Sequence, residues 1–124
     1  MSYTTQMDAA RQGIITPEMK AVAASEHIAE DELRELIALG QVIIPANKNH
    51  KCLKPNGIGS RLRTKINVNL GTSRDWTDLD MEMEKVKSAV DMGAEAIMDL
   101  SSCGDTQKFR RKLTSECSAT IGTV

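Results

Sequence analysis

Residues 64–70 read TKINVNL, with apolar and polar side chains alternating up to Gly71. Because successive side chains of a β-strand point to opposite faces, this period of two predicts a strand with one buried face. Two similar stretches follow, EAIMDL at residues 95–100 and TIGTV at residues 120–124. The second half of the chain is therefore predicted to contain three strands.

Helical patterns occupy the two intervals between these strands. Asp78 is a favourable helix start, and apolar residues then recur at near-helical spacing until Gly93. Residues 105–116 carry a second helical pattern, in which Phe109 and Leu113 are expected to face the core. The predicted order of elements in this half is β-α-β-α-β.

This alternation predicts an α/β fold with right-handed crossovers and a parallel sheet. The pattern by itself is compatible with an open, doubly wound sheet and with a closed (β/α) barrel. Residues 121–124 lie in a predicted strand that no helix follows. We therefore expect the chain to be a truncated part of a longer protein.

Three helices are expected in the first third of the chain. Thr5 can cap a helix over residues 6–12, and Thr16 followed by Pro17 marks a second helix start. Residues 30–39 place their apolar side chains on one helical face and end at a glycine. The front of the chain thus predicts a small helical assembly.

A change of character separates this assembly from the strands. Residues 41–46 have the apolar, β-branched composition of a short strand, and residues 47–59 are rich in Asn, Lys, Pro and Gly, which is typical of a loop. We predict two domains: a helical segment with its Asn-rich loop at residues 1–59, and the three strands with two helices at residues 60–124.

Composition excludes several classes of function. A formal net charge of -1 and three aromatic residues among 124 give neither the basic surface nor the stacking platform that nucleic acid needs, nor a surface for anionic membranes. Without a signal-like or membrane-spanning stretch, we expect a cytoplasmic protein. Cys52, Cys103 and Cys117 form no CxxC pair, which favours reduced thiols.

Candidate site residues follow from the predicted sheet, because parallel α/β folds bind ligands at the carboxyl ends of their strands. The residues at those ends are Asn67, Asn69, Met98, Asp99, Ser101 and Thr123. The Asn69 amide can both donate and accept hydrogen bonds to a heterocycle or a ribose. Two simpler interpretations stay open: the asparagines satisfy backbone groups of the next turn, and Met98 is ordinary core.

The two histidines do not have the spacing of a metal motif. His27 lies near a predicted helix end and is expected to be exposed. His50, in the Asn-rich loop, is a candidate ligand or hydrogen-bonding residue, with a structural role favoured. No glycine pattern of a phosphate-binding loop is present.

Five blocks of the sequence closely resemble the phosphomethylpyrimidine synthase (ThiC) family. They are ARQGIITPEM at 10–19, IPANKNH at 44–50, KINVNLGTS at 65–73, IMDLS at 97–101 and IGTV at 121–124. The last three blocks match, in order, the first three barrel strands of that family. The resemblance therefore extends over nearly the whole chain.

The resemblance implies a radical S-adenosylmethionine lyase of thiamine biosynthesis. Such an enzyme converts 5-aminoimidazole ribonucleotide into 4-amino-5-hydroxymethyl-2-methylpyrimidine phosphate on a (β/α)8 (TIM-like) barrel, using S-adenosylmethionine and a [4Fe-4S] cluster. It also implies a divalent metal (zinc or iron) and a homodimer. Residues 60–124 would supply the first three strands and two helices of the barrel.

Residue by residue, the resemblance places two of the family's substrate contacts at Asn69 and Met98. It implies that the ligands of the cluster and of the divalent metal lie beyond residue 124, and that the three cysteines of this chain do not correspond to the cluster ligands. No catalytic residue is identified, and the 124-residue chain alone is expected to be inactive.

One departure from the family pattern keeps alternatives open. Ser102 and Cys103 stand where many thiamine enzymes of the family carry Thr and Gly. A sister group, the 5-hydroxybenzimidazole synthases of anaerobic cobamide (vitamin B12 lower ligand) biosynthesis, starts from the same ribonucleotide and is the alternative activity. A non-catalytic fragment or binding module is the alternative from another class.

Overall fold

Three short helices open the computed structural model, which describes residues 2–124: α1 (Gln6–Arg11), α2 (Pro17–Glu26) and α3 (Glu30–Ala38). The Thr5 hydroxyl accepts a hydrogen bond from the Asp8 N–H, and the Thr16 hydroxyl accepts one from the Met19 N–H. Each bond satisfies an N–H group that a helix start leaves unpaired. The caps predicted at Thr5 and Thr16 are confirmed.

These helices belong to a first compact unit, which consists of residues 2–46 and Pro55–Thr64. Its core is aliphatic and combines apolar side chains of α1, α2 and α3. The largest fully buried side chains of this core are Met19, Val22, Leu33, Ile37 and Val42.

A pair of antiparallel strands, each two residues long, completes this unit: β1 (Val42–Ile43) and β2 (Ile58–Gly59). The loop predicted over residues 47–59 is wrong for its last two residues. Pairing there depends on Gly59, which has φ +144°, and a Cβ at this position would lie 2.1 Å from the Gln41 carbonyl oxygen. Only glycine allows this close approach. The strand at Ile58–Gly59 is therefore determined by a contact with a segment distant in sequence and not by the local pattern.

The second compact unit consists of Asn47–Lys54 and Lys65–Val124. Its elements are β3 (Asn67–Leu70), α4 (Leu79–Asp91), β4 (Ala96–Asp99), α5 (Thr106–Glu116) and β5 (Thr120–Thr123). The three strands are parallel and stand in the order β3-β4-β5. The predicted β-α-β-α-β order and parallel pairing are confirmed, and the described chain is a mixed α/β protein.

Both helices of this unit pack on one face of the sheet. The cluster joins Leu70 and Ile97 of the strands to Val86 of α4 and to Phe109 and Leu113 of α5, and all five are buried. Strand alternation then places the side chains of the intervening positions on the opposite face. That second face carries the asparagines of β3.

Residues 47–54 contact the end of α5 within the same unit. The Lys54 N–H donates to the Ser118 carbonyl at 2.8 Å, and His50 Nε2 donates to the Cys117 carbonyl. Helix ends leave carbonyl groups without partners inside the helix, so this loop serves as a cap for α5. The boundary between residues 59 and 60 stays a prediction about the domains of the protein.

Within residues 2–124, none of the helices is long and apolar enough to cross a membrane.

Candidate functional site

Asn69 and Met98 are direct neighbours on adjacent strands. The register of the sheet pairs Asn69 of β3 with Met98 of β4, and Met98 with Gly122 of β5. Side chains at paired positions of neighbouring parallel strands lie on the same face. The structure therefore brings the two predicted substrate contacts together, on the face opposite to α4 and α5.

The Asn69 amide is exposed, and its Oδ1 accepts a hydrogen bond from Asn67 Nδ2 at 2.9 Å. This contact uses one acceptor position of Asn69 and leaves its NH2 group outside that pair. The described hydrogen bonds of the asparagine side chains thus join the two residues to each other, and the amide donors of Asn69 face the uncovered side of the sheet.

Met98 lies flat against β5 because Gly122 has no side chain. A Cβ built on Gly122 would lie 2.8 Å from Met98 Cε and 3.0 Å from Met98 Sδ. The thioether is therefore held in the space that any other residue at position 122 would fill. Sequence reasoning treated Gly122 only as part of a strand, although a glycine within a strand often marks such a close approach.

An open cavity of about 370 Å³ lies at the carboxyl ends of β3 and β4. Its lining combines Asn69 with the residues that follow β3 and β4 and with one lysine of α4: Leu70, Gly71, Thr72, Ser73, Lys85, Leu100 and Ser102. Met98 is not part of this lining. The cavity stands where α/β proteins bind ligands, at the strand ends.

Glu82 holds the start of the β3–α4 loop. This glutamate is fully buried, its Oε2 accepts from the Gly71 N–H at 2.8 Å, and its Oε1 pairs with Lys85 Nζ at 2.6 Å. A buried charge needs a charged partner and hydrogen bonds, and Glu82 has both. Its role could not be read from the sequence, where it is one of several acids of α4.

The loops after β3 and β4 are tied to each other. The Thr72 N–H donates to Ser101 Oγ at 3.1 Å, the Thr72 hydroxyl donates to the Cys103 carbonyl, and the Ser102 N–H donates to the Thr72 carbonyl at 3.0 Å. Thr72 is 2% exposed. Three bonds through one residue make the two strand ends a single hydrogen-bonded rim.

Asp99 does not face the candidate site. It is fully buried on the helix side of the sheet, where its Oδ2 accepts from Arg110 Nε at 3.0 Å and its Oδ1 accepts from the Ser101 N–H at 3.0 Å. Thr123, paired with Asp99, is exposed. Of the strand-end residues singled out in the sequence, Asp99 and Ser101 therefore hold the loop after β4.

One further polar group stands on the asparagine-bearing face. Thr120 pairs in register with Ala96, which pairs with Asn67. Its Oγ1 is buried and has no hydrogen-bond partner among residues 2–124. The face thus presents amides, a thioether and a threonine hydroxyl, a set that can bind and orient a neutral polar ligand.

The histidines lie outside this face. His27 is exposed, as predicted, and ends α2 with φ 56°. His50 is buried, and its hydrogen bond to the Cys117 carbonyl gives it the structural role that the sequence favoured.

The three cysteines are free thiols, as predicted. Burial raises the pKa of the Cys117 thiol. In the part of the chain that the structure describes, no group of three or more His, Cys, Asp or Glu side chains is arranged to hold a metal ion.

A parallel β-α-β-α-β unit with a cavity at its strand ends defines a domain of the α/β class, in which ligands usually bind at that edge of the sheet. Comparison with known proteins gives the particular family. The family model described as "Radical SAM ThiC family" matches residues 5–124.

Curated relatives are similar over the whole chain. The phosphomethylpyrimidine synthases of Alkaliphilus oremlandii, Clostridioides difficile and Clostridium kluyveri are 64%, 62% and 59% identical over 124 residues. The chain spans 28% to 29% of the length of these relatives. The chain belongs to the radical SAM ThiC family.

Proposed function

We propose that this chain forms the N-terminal part of a phosphomethylpyrimidine synthase, a radical S-adenosylmethionine lyase of thiamine biosynthesis. The reaction would convert 5-aminoimidazole ribonucleotide into 4-amino-5-hydroxymethyl-2-methylpyrimidine phosphate. The observation that carries the proposal is the family match over residues 5–124, together with the name shared by relatives up to 64% identical.

We propose further that the second unit is the beginning of a (β/α)8 barrel, with residues 60–124 as its first part and residues 1–59 as a separate helical segment. Sequential strand order and two helices on one face support a barrel, because a closed barrel keeps all its helices outside. The face with Asn69 and Met98 would then line the barrel interior.

Asn69 and Met98 are the proposed substrate contacts. Their pairing in register supports this role, because it places an amide and a thioether side by side on the uncovered face. The amide would bond the imidazole or the ribose of the substrate, while the thioether would pack against a ring face.

The family's [4Fe-4S] cluster does not fit the cysteines of this chain. Cys103 precedes α5 and Cys117 follows it, so the 11-residue helix, about 16 Å long at 1.5 Å per residue, separates them. Three thiols divided in this way cannot bind one cluster. We propose that the ligands of the cluster, of S-adenosylmethionine and of a divalent metal (zinc or iron) come from residues outside this chain.

The remaining proposals concern the whole protein. By analogy with the family, it would act as a homodimer in the cytoplasm. Two alternatives remain: 5-hydroxybenzimidazole as the product, and a role of the chain as a binding module. The first rests on Ser102 and Cys103, which stand where many thiamine enzymes of the family carry Thr and Gly and which lie at the rim of the cavity, hydrogen-bonded to Thr72.

Product analysis tests the proposal. The full-length protein, meaning this chain joined to the remainder that its relatives have, is reconstituted anaerobically with iron and sulfide and supplied with 5-aminoimidazole ribonucleotide, S-adenosylmethionine and a low-potential reductant. Mass spectrometry should identify the pyrimidine phosphate as the main product. 5-Hydroxybenzimidazole as the main product would support the sister activity, and unchanged substrate with an intact cluster would support the binding module.

A further inference from the structure

The Cys52 thiol lies at the end of α5, next to the backbone of Cys117. Cys52 Sγ lies 3.1 Å from the Cys117 carbonyl oxygen and 3.7 Å from the Thr114 carbonyl oxygen. The first of these oxygens belongs to the same residue as the Cys117 thiol. The Cys52 sulfur therefore lies beside the residue that carries the second thiol.

The backbone on both sides of this contact is already held in place. The Lys54 N–H donates to the Ser118 carbonyl at 2.8 Å, and His50 Nε2 donates to the Cys117 carbonyl. A disulfide requires Cα atoms about 4.4–6.8 Å apart. Because the fold has brought residues 50–54 against residues 117–118, a bond between the sulfur atoms would join segments that are adjacent beforehand.

We propose that Cys52 and Cys117 form a reversible disulfide, and that this pair is a modification site for low-molecular-weight disulfides such as glutathione disulfide. This inference is independent of the proposed catalytic function.

The reaction has two exchange steps. The partly exposed Cys52 attacks glutathione disulfide, forming a Cys52–glutathione mixed disulfide and releasing one glutathione thiolate. The Cys117 thiolate then attacks the Cys52 sulfur and releases the second glutathione. In total the two cysteines lose two protons and two electrons, and glutathione disulfide is reduced to two glutathione molecules.

The environments of the thiols set the order of these steps. Cys117 is 4% exposed, and burial raises the pKa of its thiol, so it has little thiolate with which to meet an oxidant from solution. Cys52 is the accessible partner. Reduction that expels the Cys117 sulfur is also slowed, since a thiol of raised pKa is a poorer leaving group.

Cys103 provides an internal control. In the folded chain α5 separates it from Cys117, whereas in the sequence it lies only 14 residues before Cys117 (117 minus 103). Cys52 lies 65 residues before Cys117. Loop-closure entropy therefore favours Cys103–Cys117 over Cys52–Cys117 by roughly tenfold in an unfolded chain. The fold should reverse that preference.

The experiment oxidises the 124-residue chain with glutathione disulfide, once in buffer and once in concentrated urea. Each sample is blocked with an alkylating agent, digested and mapped by mass spectrometry. In buffer we expect Cys52–Cys117 to be the main cross-link. The chain should lose the mass of two hydrogen atoms, and treatment with dithiothreitol should restore it. In urea we expect Cys103–Cys117 to dominate.

Two variants complete the test. Cys52→Ser should abolish the cross-link formed in buffer, whereas Cys103→Ser should leave its yield unchanged, and circular dichroism confirms that both variants keep their helices. A digest from buffer in which Cys52–Cys117 is not the main linked pair overturns the proposal. The proposal is also overturned if Cys52 remains as the mixed disulfide with glutathione while Cys117 stays reduced.

Discussion

Asn69 offers a test of the proposed substrate contact at the level of one amide group. In the full-length protein, Asn69→Ala should weaken binding of 5-aminoimidazole ribonucleotide by about 1–3 kcal/mol, because a polar group of the bound substrate loses its partner. Met98→Leu should cost less than about 1.5 kcal/mol, because it exchanges side chains of similar volume. Calorimetric titration measures both changes.

Asn67→Ala is the matched control. It removes the same hydrogen bond between the two asparagines, 2.9 Å long, but leaves the Asn69 amide in place. Binding should therefore remain within a few tenths of a kcal/mol of the parent value. If Asn69→Ala binds as tightly as the parent, the asparagines have the structural role that the sequence left open.

Gly122 should affect the substrate through Met98. In Gly122→Ala the new methyl would lie 2.8 Å from Met98 Cε, and the end of a flexible side chain can move away at little cost. We expect the free energy of unfolding to change by at most about 1 kcal/mol, while substrate binding weakens measurably. In a Met98→Ala background the added methyl has nothing to displace, so its effect on binding should vanish.

That double-mutant cycle separates the two explanations of Gly122. An equal loss of binding with and without the Met98 side chain would mean that Gly122 acts on the sheet itself. The position of Asn69 near the end of a strand could be predicted, because it follows from a local alternating pattern. The sequence pattern contains no signal for a role that depends on a neighbour distant in the chain, as for Gly122 beside Met98 and Glu82 beside Gly71.

Among the elements, the turn that leaves β3 depends on a glycine. Gly71 has φ +148°, and a Cβ there would lie 2.5 Å from the Ser101 nitrogen and 2.6 Å from the Leu100 carbonyl carbon. Gly71→Ala should therefore cost about 2–6 kcal/mol, the sum of backbone strain and overlap with backbone atoms that cannot move aside. Urea unfolding of the chain measures the loss.

Gly93→Ala separates strain from overlap. Gly93 ends the α4 segment with φ +95°, and a Cβ there meets nothing within 4 Å. Only backbone strain remains, so the free energy of unfolding should fall by about 1–2 kcal/mol. Equal losses in the two variants would show that the close approach of Gly71 to the β4 loop has no energetic weight.

Local signals explain why most elements were predictable. Caps such as Thr16 and Asp78, followed by apolar residues at helical spacing, specify the helices without help from the rest of the chain. Two features were not predictable: the strand β2 at Ile58–Gly59, and the packing of residues 47–54 against α5. Both depend on contacts between segments far apart in sequence, which periodicity does not report.

At the scale of the whole molecule, an apolar groove remains on the second unit. It has a volume of about 540 Å³ and runs between β3, an edge strand of its sheet, and α4. Its apolar lining includes Ile66, Met81 and Met92, which are 59%, 40% and 84% exposed. Contiguous apolar surface beside a strand edge promotes association, so we expect the 124-residue chain to self-associate as its concentration rises.

Met92→Lys should weaken that association. The new charge would stand at the C-cap of α4, where the helix dipole favours a cation, so the fold should not suffer. Losing the burial of one methionine is worth about 1.5 kcal/mol or more, which raises the concentration needed for association roughly tenfold.

Leu39→Lys is the control, since Leu39 is 70% exposed but belongs to the helical unit, outside the groove. Light scattering over a concentration series measures the average mass. A parent chain that stays monomeric throughout would contradict the prediction, and equal effects of the two lysines would show that added charge acts without regard to the groove.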